Sequence, residues 1–178
     1  MSDPQFDIFV GLTGHIASAI SDLMPDLREC EGVLGRFDAA RLEQQSVVAP
    51  AVLVSLIDAR QSAGFAGGVV TFDLSLAAFI VTKDQRGLPR DIGAANICTA
   101  LAKLIPFENW SWESLGAGQG VRIQPLVTSA VRRSKLSLWA VTWSQPCTLN
   151  PIPVGDTLPL ELYVRGLNES DEFEEVTP

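Results

Sequence analysis

Hydrophobic residues along this chain recur with two different periods. Over Phe9–Leu27 they return every three or four positions, which predicts an amphipathic helix that ends near Pro25. The same spacing returns over Ala94–Ile105 and predicts a second helix, which Pro106 ends. We therefore expect two helices, each with one apolar stripe that packs on another layer of the protein.

Other segments favour β-strands. The β-branched run Val47–Ile57 contains Pro50, which cannot donate to a central ladder, so Pro50 marks an edge, a bulge or the start of a strand. The segment Asp58–Gly68 holds three glycines and is predicted to be a loop. Val69–Thr82 alternates with a period of two and predicts a long strand. Over Cys30–Gln45 the pattern is irregular and predicts no element.

The segment Val121–Leu149 has the pattern of a β-hairpin with apolar side chains on both faces. In its second half Leu138 and Ala140 point to one face, while Trp139 and Trp143 point to the other. Both faces therefore need cover. We expect the tryptophan face to pack under the helices. The opposite face is covered either by this chain or by a neighbouring subunit.

The hairpin register follows from its turn. A three-residue turn at Arg132–Ser134 places Val127 opposite Trp139 and Ile123 opposite Trp143, so the large side chains form cross-strand pairs. A two-residue turn, the alternative, shifts the register by one residue, but the absence of glycine and asparagine favours the longer turn. The hairpin edge and its arginine tip are then left for contacts with another subunit.

Charge divides the chain into two parts. The net charge is −8, and the stretch 150–178 holds seven acidic residues against one basic residue. The preceding 149 residues hold fourteen acidic and twelve basic residues and are nearly neutral. We predict one α+β domain over 1–149, a mainly antiparallel sheet of about four to five strands packed by two helices, and a proline-containing acidic C-terminal arm over 150–178. Neither part offers the basic stripe that nucleic-acid binding needs.

Hydropathy and the spacing of the cysteines indicate the cellular compartment of the protein. No apolar run approaches the roughly 18 residues that cross a membrane, and the sequence starts with acidic residues where a signal peptide is basic. The three cysteines, Cys30, Cys98 and Cys147, are widely spaced, which favours buried free thiols over disulfides or a metal clamp. We expect a protein without membrane contact that is made and kept in the cytoplasm or is assembled there.

Residues with catalytic potential are sparse. The single histidine, His15, lies inside the first predicted helix, and no metal-ligand spacing is present. Asp84 and Asp91 are best explained as turn and helix-cap residues. The glycines of Gly116–Gly120 follow a helix and precede a strand, which is the wrong context for a phosphate loop. We predict no catalytic, metal or cofactor site. A small nucleotide-binding or hydrolytic enzyme that uses these groups stays the alternative.

Three segments carry a resemblance to a known family. They are APAVLVSL at Ala49–Leu56, FIVTKDQRG at Phe79–Gly87 and LWAVTWSQPCTL at Leu138–Leu149. In this order, with the two helices, the chain is similar over roughly residues 5–149 to the Mu-like phage family labelled gp37. The resemblance implies a tail terminator or tail completion protein with a tail-terminator-like fold, which forms a ring, expected to be hexameric, that caps the tail tube at the head-proximal end of the virion.

The implied partners are further copies of the chain, the tail tube protein, the head–tail connector or neck protein, and the sheath where one is present. Another neck or head-completion protein, or a small binding module, is the alternative within the structural class. The residues that we expect at subunit or partner contacts are four loop arginines and four tryptophan anchors: Arg86, Arg90, Arg132, Arg133, Trp110, Trp112, Trp139 and Trp143.

Overall fold

The structure, a computed structural model, describes residues 8–33, 47–65, 67–126 and 135–150. Two helices and five strands follow one another along these residues. In chain order they are α1 (Ile8–Leu23), β1 (Glu29–Val33), β2 (Ala51–Gly64), β3 (Val70–Lys83), α2 (Arg90–Leu104), a 3-10 helix (Ile105–Phe107), β4 (Gln119–Pro125) and β5 (Leu136–Leu149).

The strands form one sheet with the order β1-β2-β3-β5-β4. Strand β1 runs parallel to β2, and every other pair is antiparallel. The predicted α+β class, with a mainly antiparallel sheet of about five strands and two helices, is confirmed.

Most predicted elements are present, with two corrections. Strand β2 begins directly after Pro50, so of the three alternatives for this proline the start of a strand is correct, but the strand continues to Gly64 through the expected loop. Its distal residues Asp58, Arg60 and Gln61 are exposed and pair with the main chain of β3, so ladder pairing rather than hydrophobicity defines this part. Strand β1 lies where the pattern predicts no element, because a five-residue strand with half-exposed side chains carries little periodicity.

Both helices lie on one face of the sheet and build the main core. Leu12 and Ile16 of α1 and Leu101 of α2 pack with sheet residues such as Ile80 and Trp143. Helix α1 approaches β1 so closely that a Cβ on Gly32 would overlap the α1 main chain. The prediction that the tryptophan face of β5 packs under the helices is confirmed.

The opposite face of the sheet is also buried within the chain. Leu53, Phe79, Leu138 and Ala140 form a second apolar cluster there, and each is at most 8% exposed. The described residues place no helix on this face. Because these side chains are buried in a single chain, a neighbouring subunit is not needed to cover them, and of the two alternatives for this face burial within the chain is the correct one.

The hairpin strands pair as expected, but the predicted register is wrong by two residues. The observed pairs are Ile123 with Val141 and Pro125 with Trp139. The sequence predicts Trp143 and Val127 as the partners of Ile123 and Trp139. A shift of two residues leaves every side chain on its face, so the apolar pattern does not distinguish the two registers. The predicted turn and Val127 lie outside the described residues.

Candidate assembly surface

Strand β4 is an edge of the sheet that is exposed along its whole length. Of its seven residues only Val121 is half-buried, and the others are exposed. Its described pairing is with β5 alone. An edge strand of this kind presents main-chain donors and acceptors that can pair with a further strand. In the described part of the chain, a further strand can therefore extend the sheet at the outer side of β4.

The ladder shows which main-chain groups of β4 point outward. The Leu126 amide donates to the Leu138 carbonyl at 2.8 Å. Since pairs in an antiparallel ladder alternate, Arg122 and Gln124 bond to β5, while the main-chain groups of Ile123 point away from it. Pro125 also faces outward and has no N–H group. A further strand can therefore pair with the main-chain groups of Ile123, whereas Pro125 offers it no N–H donor.

Exposed apolar side chains accompany this edge. Ile123 is 42% exposed and lies on the helix-bearing side of the sheet. Phe107, in the 3-10 helix that contacts β4, is 85% exposed and is the most exposed large hydrophobic residue of the described chain. A main-chain edge beside exposed apolar groups is typical of a protein–protein contact. We call β4 together with Phe107 the β4 surface.

Two of the predicted tryptophan anchors lie in the core instead. Trp110 is 2% exposed and Trp143 is 3% exposed, and their ring centroids are 6.5 Å apart. Both indole N–H groups donate to Oε1 of Gln145, at 3.2 Å from Trp110 and 2.8 Å from Trp143. Because these residues have almost no accessible side chain, they are core residues rather than surface anchors.

Gln145 is the residue that sequence reasoning missed. Its side chain is fully buried, and its Nε2 donates to the main-chain carbonyls of Glu108 and Gly116. All four hydrogen-bonding positions of the amide are therefore used. Gln145 continues the face of Trp139, Val141 and Trp143, and a glutamine in that apolar series is the signal that could have indicated this role. The network fixes the loop after the 3-10 helix against β5, so the neighbouring Phe107 projects from a well-anchored segment.

The same loop is held from the other side by α1. Nε2–H of His15 donates to the Trp110 carbonyl at 2.6 Å, and the imidazole meets the half-buried Trp112 edge-on, with centroids 5.1 Å apart. Trp110 and Ser111 both adopt positive φ, at 57° and 54°. The only histidine of the chain thus helps to hold an uncommon backbone conformation. Trp112 and His15 form a contact between α1 and the loop.

Two of the predicted arginine contacts, Arg86 and Arg90, lie at the other end of the sheet. Arg86 is exposed in the turn after β3, and Arg90 begins α2, where its main-chain amide donates a hydrogen bond to Oδ1 of Asp84 at 3.0 Å. Arg132 and Arg133 lie outside the described residues. The structure therefore does not bring Arg86 and Arg90 into one site with Trp110. Arg86 and Arg90 remain accessible or half-accessible, whereas Trp110 is enclosed.

Trp139 is half-buried and belongs to a polar chain near this second end. Its indole N–H donates to Ser137 Oγ at 3.1 Å, and that hydroxyl donates to Asp91 at 2.6 Å. Asp84 and Asp91, the carboxylates considered for acid–base chemistry, are thus engaged at the start of α2. Asp84 accepts from the first helical amide, as the turn and cap prediction requires.

The described residues contain no group of three or more histidine, cysteine or acidic side chains with the geometry of a metal site. Burial raises the pKa of the Cys98 and Cys147 thiols to about 11, so both stay protonated at neutral pH and are poor nucleophiles. Cys30 is half-buried, and its Sγ donates to the Ala17 carbonyl at 3.1 Å. The expectation of free thiols is confirmed, with Cys30 less buried than the other two.

A cleft of about 570 Å³ opens between the end of α1 and α2. Its apolar lining includes Leu23, Leu27 and Ile97, and its charged lining includes Arg28 and Lys83. No β4 residue lines it. The cleft is therefore separate from the β4 surface.

Among the described residues, neither helix combines the length and apolar character of a membrane span. In comparisons with known proteins, no family model matches the chain and no curated protein is similar to it. The resemblance to the phage tail family consequently stays a prediction, and the function is argued from the β4 surface.

Proposed function

We propose that this chain is a structural protein of a phage tail, a terminator or completion factor that assembles into a ring through its sheet edge. The β4 surface is the observation that carries the proposal. It combines an exposed edge strand with Phe107 and Ile123, two exposed apolar side chains beside the edge. The resemblance of residues 5–149 to the Mu-like phage family, which is a prediction from the sequence, supplies the tail context.

The physics of termination fits such a surface. A terminator binds the last ring of the tail tube more favourably than another tube subunit does, and it presents a different outer face so that addition stops. A closed ring of identical copies needs two different patches that are complementary, since the contact is head-to-tail. The β4 surface is one such patch, and sixfold closure is the number that the family resemblance implies.

The other predicted features belong to the same proposal. The ring lies at the head-proximal end of the virion, contacts the tube protein on one side and the neck or connector protein on the other, and is assembled in the host cytoplasm. No catalytic step is assigned to the protein. Arg86 and Arg90, at the sheet end away from Trp110, are available for contacts with these partners.

Ring formation is tested with the purified full chain. Light scattering coupled to size-exclusion chromatography and negative-stain electron microscopy are expected to show a closed oligomer. Ile123→Lys introduces a charge at the β4 edge and is expected to yield smaller species. The matched control is Ile92→Lys, since Ile92 is 53% exposed on α2 and lies outside the β4 surface. A strictly monomeric wild-type protein contradicts the ring.

Tube termination requires a second experiment. Tail tube subunits are allowed to polymerise with and without the protein, and tube length is measured by electron microscopy. Shorter, capped tubes are expected. If rings form but tube length does not change, the terminator assignment is wrong and a neck or head-completion role takes its place.

A further inference from the structure

Among the described residues nothing pairs with the outer side of β4, so this edge can accept one additional short strand. Its seven residues span about 20 Å at roughly 3.3 Å per residue. The outward main-chain groups of Ile123 are available, and Pro125 ends the run of donors. A strand that pairs here gains main-chain hydrogen bonds from the edge and apolar contacts from the neighbouring side chains.

The C-terminal arm contains a segment with the pattern of such a strand. Over 158–164, a length of seven residues, leucine or valine alternates with other residues. The apolar positions are Leu158, Leu160, Leu162 and Val164. Alternation of this kind is typical of a strand with one buried face. Its single proline, at the second position, is compatible with an added edge strand.

The two faces of this segment match the two faces of β4. Ile123 lies on the helix-bearing side of the sheet, and Arg122, one residue away, points to the opposite side. When the leucines of the arm lie beside Ile123, Glu161 lies on the side of Arg122. The opposite charges then share one face. The surplus of acids in the arm, seven against one base, also favours contact with a basic edge residue.

The position where the arm begins favours a neighbouring copy as the acceptor. Asn150 directly follows β5, and Ser114 and Gly116 bond to that end of β5 on its β4 side. Pro151 and Pro153 disfavour helical backbone in the residues before them and favour an extended path onward from β5. Such a path leads away from the chain's own Ile123, because Ile123 pairs with Val141, well before the end of β5 at Leu149. Eight residues separate β5 from position 158, enough for about 28 Å of extended chain.

We propose that residues 158–164 of one copy add to the β4 edge of the next copy as a sixth strand. The inference rests on the proposed association of identical copies and names the second half of its head-to-tail contact. Each copy donates its arm and accepts one, so the contacts close into a ring when the last arm reaches the first edge.

The experiment places a photo-crosslinking benzophenone amino acid at Ile123 in the full chain. This protein is mixed with unmodified chain labelled with ¹⁵N, the mixture is allowed to assemble and is then irradiated, and crosslinked peptides are identified by mass spectrometry. Capture of a ¹⁵N peptide from 158–164 is expected. The same probe at Ile92 is the control and is expected to capture none of this segment.

Other outcomes overturn the inference in distinguishable ways. Capture of the arm of the same chain shows that the strand is not exchanged. Capture of another segment of a neighbouring copy leaves the ring intact but excludes the arm. Absence of any oligomer overturns the ring and the inference together.

A second readout uses arm variants. The double substitution Leu160→Glu and Leu162→Glu is expected to raise the dissociation constant of the oligomer on the order of tenfold or more, because two apolar contacts are lost. Leu167→Glu, which lies beyond the proposed strand, is the control. Equal oligomers for the double variant and the wild type contradict the proposal, and circular dichroism checks that both variants are folded.

Discussion

Strands β3 and β4 pair with the same partner, β5, from opposite sides, yet they lie in opposite environments. In β3 the stretch Leu76–Thr82 is buried without interruption. In β4 no residue is buried. Pairing with β5 alone therefore does not bury a strand. Strand β3 has a second neighbour and apolar clusters on both of its faces, whereas β4 lacks a neighbour on its outer side among the described residues.

Composition follows this difference. Strand β3 supplies apolar side chains to both clusters, through Leu76 and Ile80 on one face and Phe79 and Val81 on the other. Strand β4 carries glutamine, arginine and proline, and such residues on an exposed edge strand limit aggregation before the edge is paired. Substitutions at matched positions in the two regions can break or sharpen this comparison.

The largest effect is expected from Ile80→Ala in β3. Ile80 is 0% exposed, so removing its side chain leaves a cavity and lowers the free energy of unfolding by about 2–5 kcal/mol. The matched change Ile123→Ala in β4 is expected to lower it by less than about 1 kcal/mol, because Ile123 already contacts solvent. Urea denaturation measures both. Equal losses contradict the distinction between the centre and the edge.

The reactivity of cysteine thiols distinguishes buried positions in β5 from exposed positions in β4. The Cys147 thiol has a pKa of about 11, raised by burial from 9.0, so at pH 8 its thiolate fraction is on the order of a hundredfold lower than that of a free thiol. A thiol introduced by Gln124→Cys on exposed β4 is expected to react rapidly with Ellman's reagent, while Cys147 reacts slowly. Comparable rates under native conditions contradict the burial.

The same thiols make stability depend on pH. The folded chain keeps protons that the unfolded chain releases above its ordinary thiol pKa of 9.0, so the free energy of unfolding falls as the pH rises from about 9 to 11. Below about pH 9 these thiols are protonated in both states and do not contribute to the pH dependence of stability. Cys98→Ala is expected to reduce the slope in this window, which denaturation at several pH values measures.

Two glutamines provide the third comparison. Gln145→Leu leaves two buried indole donors and two partly buried carbonyls without their partner, and we expect the free energy of unfolding to fall by about 1–3 kcal/mol. Gln124→Leu, on exposed β4, is expected to change it by about 0.5 kcal/mol or less. Denaturation followed by tryptophan fluorescence measures both. If Gln145→Leu leaves the free energy of unfolding unchanged, the network does not stabilise the loop.

The smallest effect on stability is expected from Pro125→Val. The substitution adds an outward N–H group to β4 and changes the free energy of unfolding by about 0.5 kcal/mol or less, since the position is exposed. The added donor lengthens the open edge, so self-association is expected to increase. Sedimentation velocity measures it. A decrease in association indicates that proline is needed at the contact.

The sequence predicts the parts of this fold that depend on burial with a regular period. Both helices and the buried strands have such a pattern, and so does the face of β5 that meets the helices. The hairpin register was out of reach because Ile123 can pair with Val141 or with Trp143 without a change of face. Strand β1 was missed because five residues with partial exposure carry little pattern.

The candidate surface was predicted only in outline. The hairpin edge was identified, but its apolar neighbour Phe107 was not, since a residue next to Pro106 in the sequence gives no sign of whether it will be exposed. The tryptophans show the opposite case. Large aromatic residues suit interfaces and cores equally well, and Trp110 and Trp143 lie in the core, where both indole N–H groups donate to Gln145.

The amide of Gln145 also joins segments that lie far apart in the chain into one folding unit. Burial of this group is unfavourable until the carbonyls of Glu108 and Gly116 are in place, so the loop and the end of β5 reach their native arrangement together. The amides of Gly116 and Thr148, which bond across this junction, should then exchange with solvent only when the sheet itself opens. A loop without regular secondary structure would thus share the slow hydrogen exchange of the central strands.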